Sequence, residues 1–399
     1  MKGVLFLLGG WLLYSLIQIL PAPIGLLETI SPATANIYAY SNDVVNSGAI
    51  SIDVGSSAGV ILQNAAYVTL LLLVVVLVST KNRLRILTYT IIFSGLVQAV
   101  FGLYVMFTGA HFIPVEYLDG HFDRATGTFI NRNHYSIFIV MSLFLLIGLI
   151  VSTLKRQKTT FNWKNGIRAL VRGLTDPKST LLGLAIVMIP AILYSKSRGG
   201  LGALFGGLII TTILISLRTK GTNYGRKILP ILGIIGILSV AWLGYGEIFG
   251  RISYDQVAQM ERFTQWRLSV GLVMDHWLLG IGLGNYEWLF PLYKSGDLNI
   301  QFFYDHAHND YLELLVEQGV VGFVILGCAI VLILKKTISA LLNRRDPFLI
   351  GILYGSLGAL LAMLIHSFFE FNFHIPATAA YFFVIAGLGL SSTVMKHNA

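Results

Sequence analysis

The chain has 399 residues, of which 55% are hydrophobic and only 12% charged, and its mean hydropathy is +0.74. A soluble globular domain carries about 25% charged residues, so a large water-soluble enzyme is excluded, and so is a disordered chain. The one cysteine, Cys328, excludes an intrachain disulfide and leaves little soft metal ligation.

Ten apolar runs follow one another, at about 3–20, 58–78, 86–108, 134–154, 181–195, 201–217, 228–246, 314–334, 348–366 and 376–395. A membrane-crossing helix needs about 20 such residues, and the 181–195 run is short by that measure. No small-residue cleavage site follows Leu20, and more spans come after it, so the first run reads as a retained helix rather than a signal peptide. The connections alternate in sign. One set, with Lys2, Lys81, Arg83, Arg85, the basic residues from Lys155 to Lys178, Arg218 to Lys227, Lys335 to Arg345 and Lys396, holds 20 of the 28 basic residues and two of the 19 acids. The positive-inside rule puts that set, and both termini, in the cytoplasm. The basicity is then topology and not nucleic-acid binding. The expected fold class is all-α: one polytopic integral membrane domain over 1–399, with about ten (10–12) spans.

Three segments face outward: 21–57, 109–133, and the longest, 247–313, which is rich in aromatics. Within the last, Val257, Met260, Phe263, Trp266, Val270, Val273 and Trp277 recur every three or four residues. That spacing predicts an amphipathic helix lying on the membrane surface or on the bundle.

Eight basic residues remain for the outward side, where cations are disfavoured: Arg124, Arg132, Lys196, Arg198, Arg251, Arg262, Arg267 and Lys294. Arg198 lies in Ser197-Arg198-Gly199-Gly200 between two apolar runs. A guanidinium there, at the start of a helix beside small residues, points to an anion; the alternative is a turn with a snorkelling arginine. Arg262 and Arg267 lie about 140° apart on a helix of 3.6-residue period and do not point the same way. A second cluster runs from Asp305 to Glu317. Asp310 and Glu313 read as a capping box for a span starting near Tyr311. His308, just before it, is placed to take a proton from an attacking hydroxyl. Metal is the rival reading, with His306, His308, Asp305 and Asp310 as ligands, but His-x-His alone is a weak signal, and we expect neither a metal nor a cofactor. Two further polar clusters, Arg124–His134 (with Asn131 and Asn133) and His366–Pro376, read either as the lining of a sugar pocket or as loop packing.

Together these stretches resemble the O-antigen ligase and O-antigen polymerase superfamily of bacterial inner-membrane glycan transferases. His308-Asn309, nine residues, Gly319, two residues and Gly322 follow the ligase pattern H-[N/S/Q]-x9-G-x2-G. Supporting matches are Gly127-Thr-Phe-Ile-Asn131-Arg-Asn133, Ser197-Arg-Gly-Gly200, Arg262-x3-Trp266 before Gly280-Ile-Gly282-Leu-Gly284, and His366 to Pro376. The likeness runs over about 125–399. Trp277 departs from it, standing where many relatives have proline.

The resemblance implies a GT-C-like fold with a large periplasmic loop at 247–313. It also implies a donor glycan on undecaprenyl diphosphate, arginines that bind the diphosphate (Arg198 and one of Arg262 or Arg267, Arg262 being favoured), and a histidine, His308, that acts on or positions the acceptor hydroxyl. Asn131, Asn133, Asn309, Glu317 and Arg267 are second-rank substrate-binding candidates. The acceptor is lipid A–core in a ligase, a growing glycan chain in a polymerase, or a protein hydroxyl in an oligosaccharyltransferase. The chemistry fits independently: a lipid diphosphate asks for cations, an apolar groove and aromatic sugar platforms, and guanidiniums neutralise a diphosphate leaving group without a metal. Readings of another class are a lipid-linked glycan transporter or flippase, which scarce intramembrane charge and the lack of paired halves disfavour, and a receptor or scaffold.

Overall fold

A computed structural model describes residues 1–39, 46–109, 124–153, 177–218, 254–296, 298 and 303–395. Among them are thirteen α-helices: α1 Lys2–Gln18, α2 Ile24–Ile30, α3 Pro32–Ala39, α4 Val54–Leu77, α5 Lys81–Thr108, α6 Arg132–Thr153, α7 Pro177–Tyr194, α8 Arg198–Arg218, α9 Tyr254–Asp275, α10 Tyr286–Leu289, α11 Asp310–Asn343, α12 Pro347–His366 and α13 Pro376–Val394. One short antiparallel pair joins Ala22–Pro23 to Ser47–Gly48. Seven helices, α4, α5, α6, α8, α11, α12 and α13, are long and apolar enough to cross a membrane, and α1 and the 181–194 part of α7 are shorter apolar helices. The all-α, polytopic expectation is met. The run expected over 228–246 lies outside the described residues, as do Arg251 and the basic residues from Lys155 to Arg172.

The chain forms two compact units, 71–246 with 335–366 and 375–399, and 1–70 with 247–334 and 367–374. In the former, α6 and α12 are the centre. Side chains on every face of α6 from His134 to Leu146 are buried, because α5, α7, α8, α12 and α13 all pack on it. Small residues let the backbones approach: a methyl on Gly351 of α12 would sit 2.3 Å from the carbonyl oxygen of Gly148 on α6. Close helix contact through small residues is how packing is gained where lipid removes the hydrophobic drive between spans.

In the other unit the long loop carries a core of its own: Leu272, Ile281, Tyr286, Leu289, Phe290, Leu298, Ala307 and Val316 are buried together. A second small cluster of Leu27, Ala35 and Ile50 gathers the 21–57 segment, which the sequence read only as a polar loop. The amphipathic helix forms as α9, with Val257 and Met260 outside the described side chains. Its packed face is Gln265, Ser269, Leu272 and His276, while Phe263, Val270, Met274 and Trp277 are exposed. The expected stripe is therefore split: Trp266 donates to the Ala307 carbonyl and Val273, beside Leu268, packs on the loop's core, while Phe263, Val270 and Trp277 are exposed.

The element that organises this unit is a break in α11 at Gly319, whose φ of 58° and ψ of −171° interrupt the helix. Within a membrane-embedded helix, freed backbone groups need partners inside the protein, and here they have them. The Val316 carbonyl accepts from Ile281 N, and the Glu317 carbonyl from Gly282 N and Gln18 Nε2. The Gln318 carbonyl accepts from the Tyr14 hydroxyl. In return Val320 N and Val321 N donate to the carbonyls of Trp277 and Leu278. Gly319 and Gly280, both at positive φ, are the residues that let the two backbones meet: a methyl on Gly319 would lie 2.4 Å from the Leu278 oxygen, and one on Gly280 2.4 Å from the Glu317 oxygen. Gly319 of the ligase-like pattern and Gly280 of its glycine-rich supporting match therefore have a backbone reason, while a methyl on Gly322 would meet the side chains of Gln318 and Tyr14.

Gly319→Ala should destabilise the protein by about 3 kcal/mol or more, since left-handed backbone at a non-glycine costs about 1–2 kcal/mol before the carbonyl clash is counted. Gly327→Ala in the same helix, where a methyl meets nothing within 4 Å, should be neutral or stabilising by about 0.5–1 kcal/mol. Thermal unfolding of the two variants in detergent checks the contrast.

Candidate functional site

The candidate site in the unit containing His308 is built from a loop, two helices and a turn. Gln265 and Trp266 of α9 fix the loop's backbone: Gln265 Nε2 donates to the His306 carbonyl at 2.7 Å and Trp266 Nε1 to the Ala307 carbonyl at 2.7 Å. This explains why a tryptophan follows Arg262 by four residues. The loop then turns sharply at His308, which has φ +49°, a left-handed conformation uncommon outside glycine.

Asn309 ends the loop and caps α11, its Oδ1 accepting from Tyr311 N and Leu312 N, each at 3.1 Å. The expected capping box of Asp310 and Glu313 is therefore corrected. Asn309 is the better placed cap, one residue earlier, and α11 starts at Asp310. The two acids are spent elsewhere. Asp310 accepts from Asn372 N at 2.9 Å and Phe373 N at 3.3 Å, pinning the turn after α12. Glu313 reaches back into the loop, where Oε2 accepts from Ala307 N at 2.8 Å, and Oε1 lies 2.7 Å from His306 Nδ1 and 3.2 Å from His374 Nε2.

The pinned turn delivers Glu370. Its buried carboxylate lies 3.1 Å from His308 Nδ1 through one oxygen and 3.3 Å from the Arg262 guanidinium through the other. Arg262 also donates to the Phe369 carbonyl at 3.5 Å. A carboxylate accepting from Nδ1 holds that proton there and leaves the ring's lone pair on Nε2. The Phe371 ring packs between the two histidines, with centroids 4.3 Å from His306 and 4.8 Å from His308.

The charges sort accordingly. Burial opposes a charged His306, but the hydrogen bond and charge of Glu313, with Asp305 adding to them, outweigh it and lift the group to about 9. Burial pushes His374 below the ordinary imidazole range, against the pull of Glu313. The one buried carboxylate thus favours the charged form of both rings while burial opposes it, and the balance differs between the two.

Of the sequence-derived candidates, this unit brings His308, Arg262 and Asn309 together. Arg267 is exposed on another face of α9. Glu317 is buried with Oε1 accepting from Tyr286 N at 3.2 Å, so its carboxylate serves the glycine-rich loop. In the other unit, Asn131 Oδ1 accepts from Asn133 N at 2.8 Å, and Asn133 Oδ1 accepts from the Ser197 hydroxyl at 2.7 Å. Ser197 in turn caps α8 by accepting from Gly200 N at 3.0 Å. Arg198 is exposed as the first residue of that helix. Gly199 and Gly200 admit close neighbours: a methyl on Gly200 would lie 2.0 Å from Ser136 Oγ and one on Gly199 3.1 Å from His366 Nε2. Their smallness is thus explained by packing.

The residue the sequence did not single out is Glu370. It lay within the His366–Pro376 cluster, and an acid in an otherwise apolar turn was the available signal. His374 was likewise present in that cluster without an assigned partner, and Glu313 was read only as part of a capping box. The rival metal set of His306, His308, Asp305 and Asp310 does not gather as such, since His308 turns to Glu370 and Asp310 to backbone.

Asn309→Ala should lower stability by about 1 kcal/mol, the usual loss of a cap. Asp310→Ala should lower it more, by at least about 2 kcal/mol, because it strands the buried Asn372 N–H. Denaturation of the two variants side by side tests this order.

No protein of curated function matches the chain in sequence. The family described as O-antigen ligase matches it over residues 183–327, a stretch that contains Arg198, Arg262, Arg267, His308, Asn309, Glu313, Glu317 and both glycines of the ligase pattern. Over that stretch the chain is similar to the O-antigen ligase family, and seven of its described helices are long and apolar enough to cross a membrane.

Proposed function

We propose that the protein transfers a preassembled glycan from undecaprenyl diphosphate to an acceptor hydroxyl at the periplasmic face of the bacterial inner membrane. It acts as a single GT-C-like membrane domain with both termini in the cytoplasm, and lipid A–core is the favoured acceptor. The observation that carries this reading is the contact chain Arg262–Glu370–His308. It puts an oriented imidazole and an oriented guanidinium on one buried carboxylate, as a reaction between a hydroxyl and a diphosphate-linked sugar requires.

In this reading His308 Nε2 takes the proton of the acceptor hydroxyl as that oxygen bonds to the anomeric carbon. The bond from the anomeric carbon to the diphosphate breaks, configuration inverts, and the lipid diphosphate leaves with the electron pair. The charge developing on it is met by Arg262, whose planar fork suits phosphate oxygens; Arg198 is assigned to the diphosphate by the family resemblance alone. No metal is needed for that step. Glu370 touches neither reacting group: it is a positioning residue that holds the His308 proton on Nδ1 and aims Arg262. Asn131, Asn133 and Arg267 are assigned to the glycan or its carrier. Asn309 and Glu317 contribute through the cap and the loop they hold. The exposed Phe263, Val270 and Met274 of α9 lie against lipid, which brings its arginines to headgroup depth.

The test is transfer by the full chain in detergent, from synthetic undecaprenyl diphosphate-linked glycan to purified lipid A–core. Product formed without a membrane barrier is expected, and its absence with every acceptor class supplied would reject the reading in favour of transport. Arg262→Ala should lower the rate by about 10²–10³-fold, as for loss of one anion-stabilising donor, with Arg267→Ala losing far less.

A further inference from the structure

We propose that His306, Glu313 and His374 form a binding site for one divalent transition-metal ion, zinc being the best chemical match, which clasps the loop before α11 to the turn after α12. The inference is independent of the transfer reading, and His308 is not among the ligands.

Three residues from separate stretches of chain converge here. His306 Nδ1, a Glu313 carboxylate oxygen and His374 Nε2 all lie within 4.8 Å of one another. Two of the separations are 2.7 and 3.2 Å, both measured from Glu313 Oε1. A tetrahedral zinc with bonds of about 2.0–2.1 Å spaces its ligand atoms by about 3.3 Å, so Glu313 Oε1 needs shifts of only tenths of an ångström at those two contacts, and the two imidazole nitrogens, which lie within 4.8 Å of each other, close on the ion by turning their rings. Two imidazoles and one carboxylate are a ligand set suited to zinc and its neighbours. Magnesium and calcium, which take oxygen ligands, fit it poorly.

The surroundings are those of a built site. The second oxygen of Glu313 is held by Ala307 N at 2.8 Å, which fixes the carboxylate as outer partners fix metal ligands. The His306 ring is stacked on Phe371 with planes 23° apart. Its backbone is held by Gln265. Glu313 is 1% exposed, whereas the His306 and His374 side chains are 25% and 20% exposed, so the two rings, unlike the carboxylate, are partly open to their surroundings. The negative charge of Asp305 also acts on both histidines. His308, two residues on, is turned by its left-handed backbone to Glu370, so the proposed metal ligands and the proposed base use different carboxylates.

The experiment is zinc binding by the full chain in detergent micelles, stripped with a chelator, then titrated with zinc chloride against a chromogenic competitor. One zinc per chain with a micromolar or tighter dissociation constant is expected. His374→Ala should weaken it by about 100-fold or more, at least the loss seen when a mere outer partner of a ligand is removed. His374→Cys, which restores a zinc ligand, should regain most of it, and His308→Ala should bind as the parent does. Size-exclusion profiles identify any variant that fails to fold, and the parent titration with the His374→Cys variant keeps the test decisive if His374→Ala does so. A parent chain that takes up no zinc at about 100 µM, or binding that His374→Ala leaves unchanged, overturns the proposal; neither result bears on whether the protein transfers glycan.

Discussion

A carboxylate removed from water must be met by donors or by positive charge, or its desolvation unfolds the site around it. Asp310, Glu313, Glu317 and Glu370 are all buried in one unit of this protein, and each is met by groups from a different stretch of chain. Asp310 holds the backbone of 372–373, Glu313 holds Ala307 with His306 and His374, Glu317 holds the backbone at Tyr286, and Glu370 holds His308 with Arg262. The loop, the first turns of α11, the glycine-rich segment and the turn after α12 are therefore fixed by the same demand. The geometry of the candidate site is a by-product of satisfying these acids.

The break at Gly319 extends the same logic to the backbone. An unbroken α11 would satisfy its own peptide groups and would offer nothing to residues 277–282. Broken, it exchanges hydrogen bonds with that segment on both sides of the gap, and Tyr14 and Gln18, polar residues of an otherwise apolar α1, complete the set. This locks the glycine-rich segment that follows α9 to the helix whose first turn carries Asn309, Asp310 and Glu313. His308 and Gly319 thus read as one mechanical unit: a side chain at the helix start and the break that anchors the helix to its neighbours.

Much of this was legible in the sequence, for physical reasons. Spans announce themselves because lipid demands long apolar runs, and nine of the ten expected runs lie on helices of the structure. The helix α9 followed from its period, but its buried face did not: Trp266 and Val273 of the expected stripe pack in beside Gln265 and Ser269, and Phe263 and Val270 are out. The histidine and arginine clusters could be listed from composition alone. Pairing could not. Arg262, His308 and Glu370 are separated by tens of residues in the chain, and no local pattern says that a turn pinned by Asp310 will carry Glu370 to the other two. The cap was assigned one residue late because Asp310 and Glu313 have the spacing of a capping box, while the short polar Asn309 beside them is a better acceptor for the first N–H groups. Short elements such as α2, α3 and the Ala22–Pro23 strand were missed because so few residues leave no period to read.

The central claim is a division of labour, in which an imidazole held by Glu370 takes a proton and guanidiniums hold the donor. It is tested most directly by measuring, on His308→Ala, both the affinity for undecaprenyl diphosphate-linked glycan and the single-turnover rate of transfer. The account predicts donor affinity within a few-fold of the parent and a rate lower by about 10²–10⁴-fold. Transfer at the parent's rate, or a loss of donor binding that accounts for the whole effect, would contradict it.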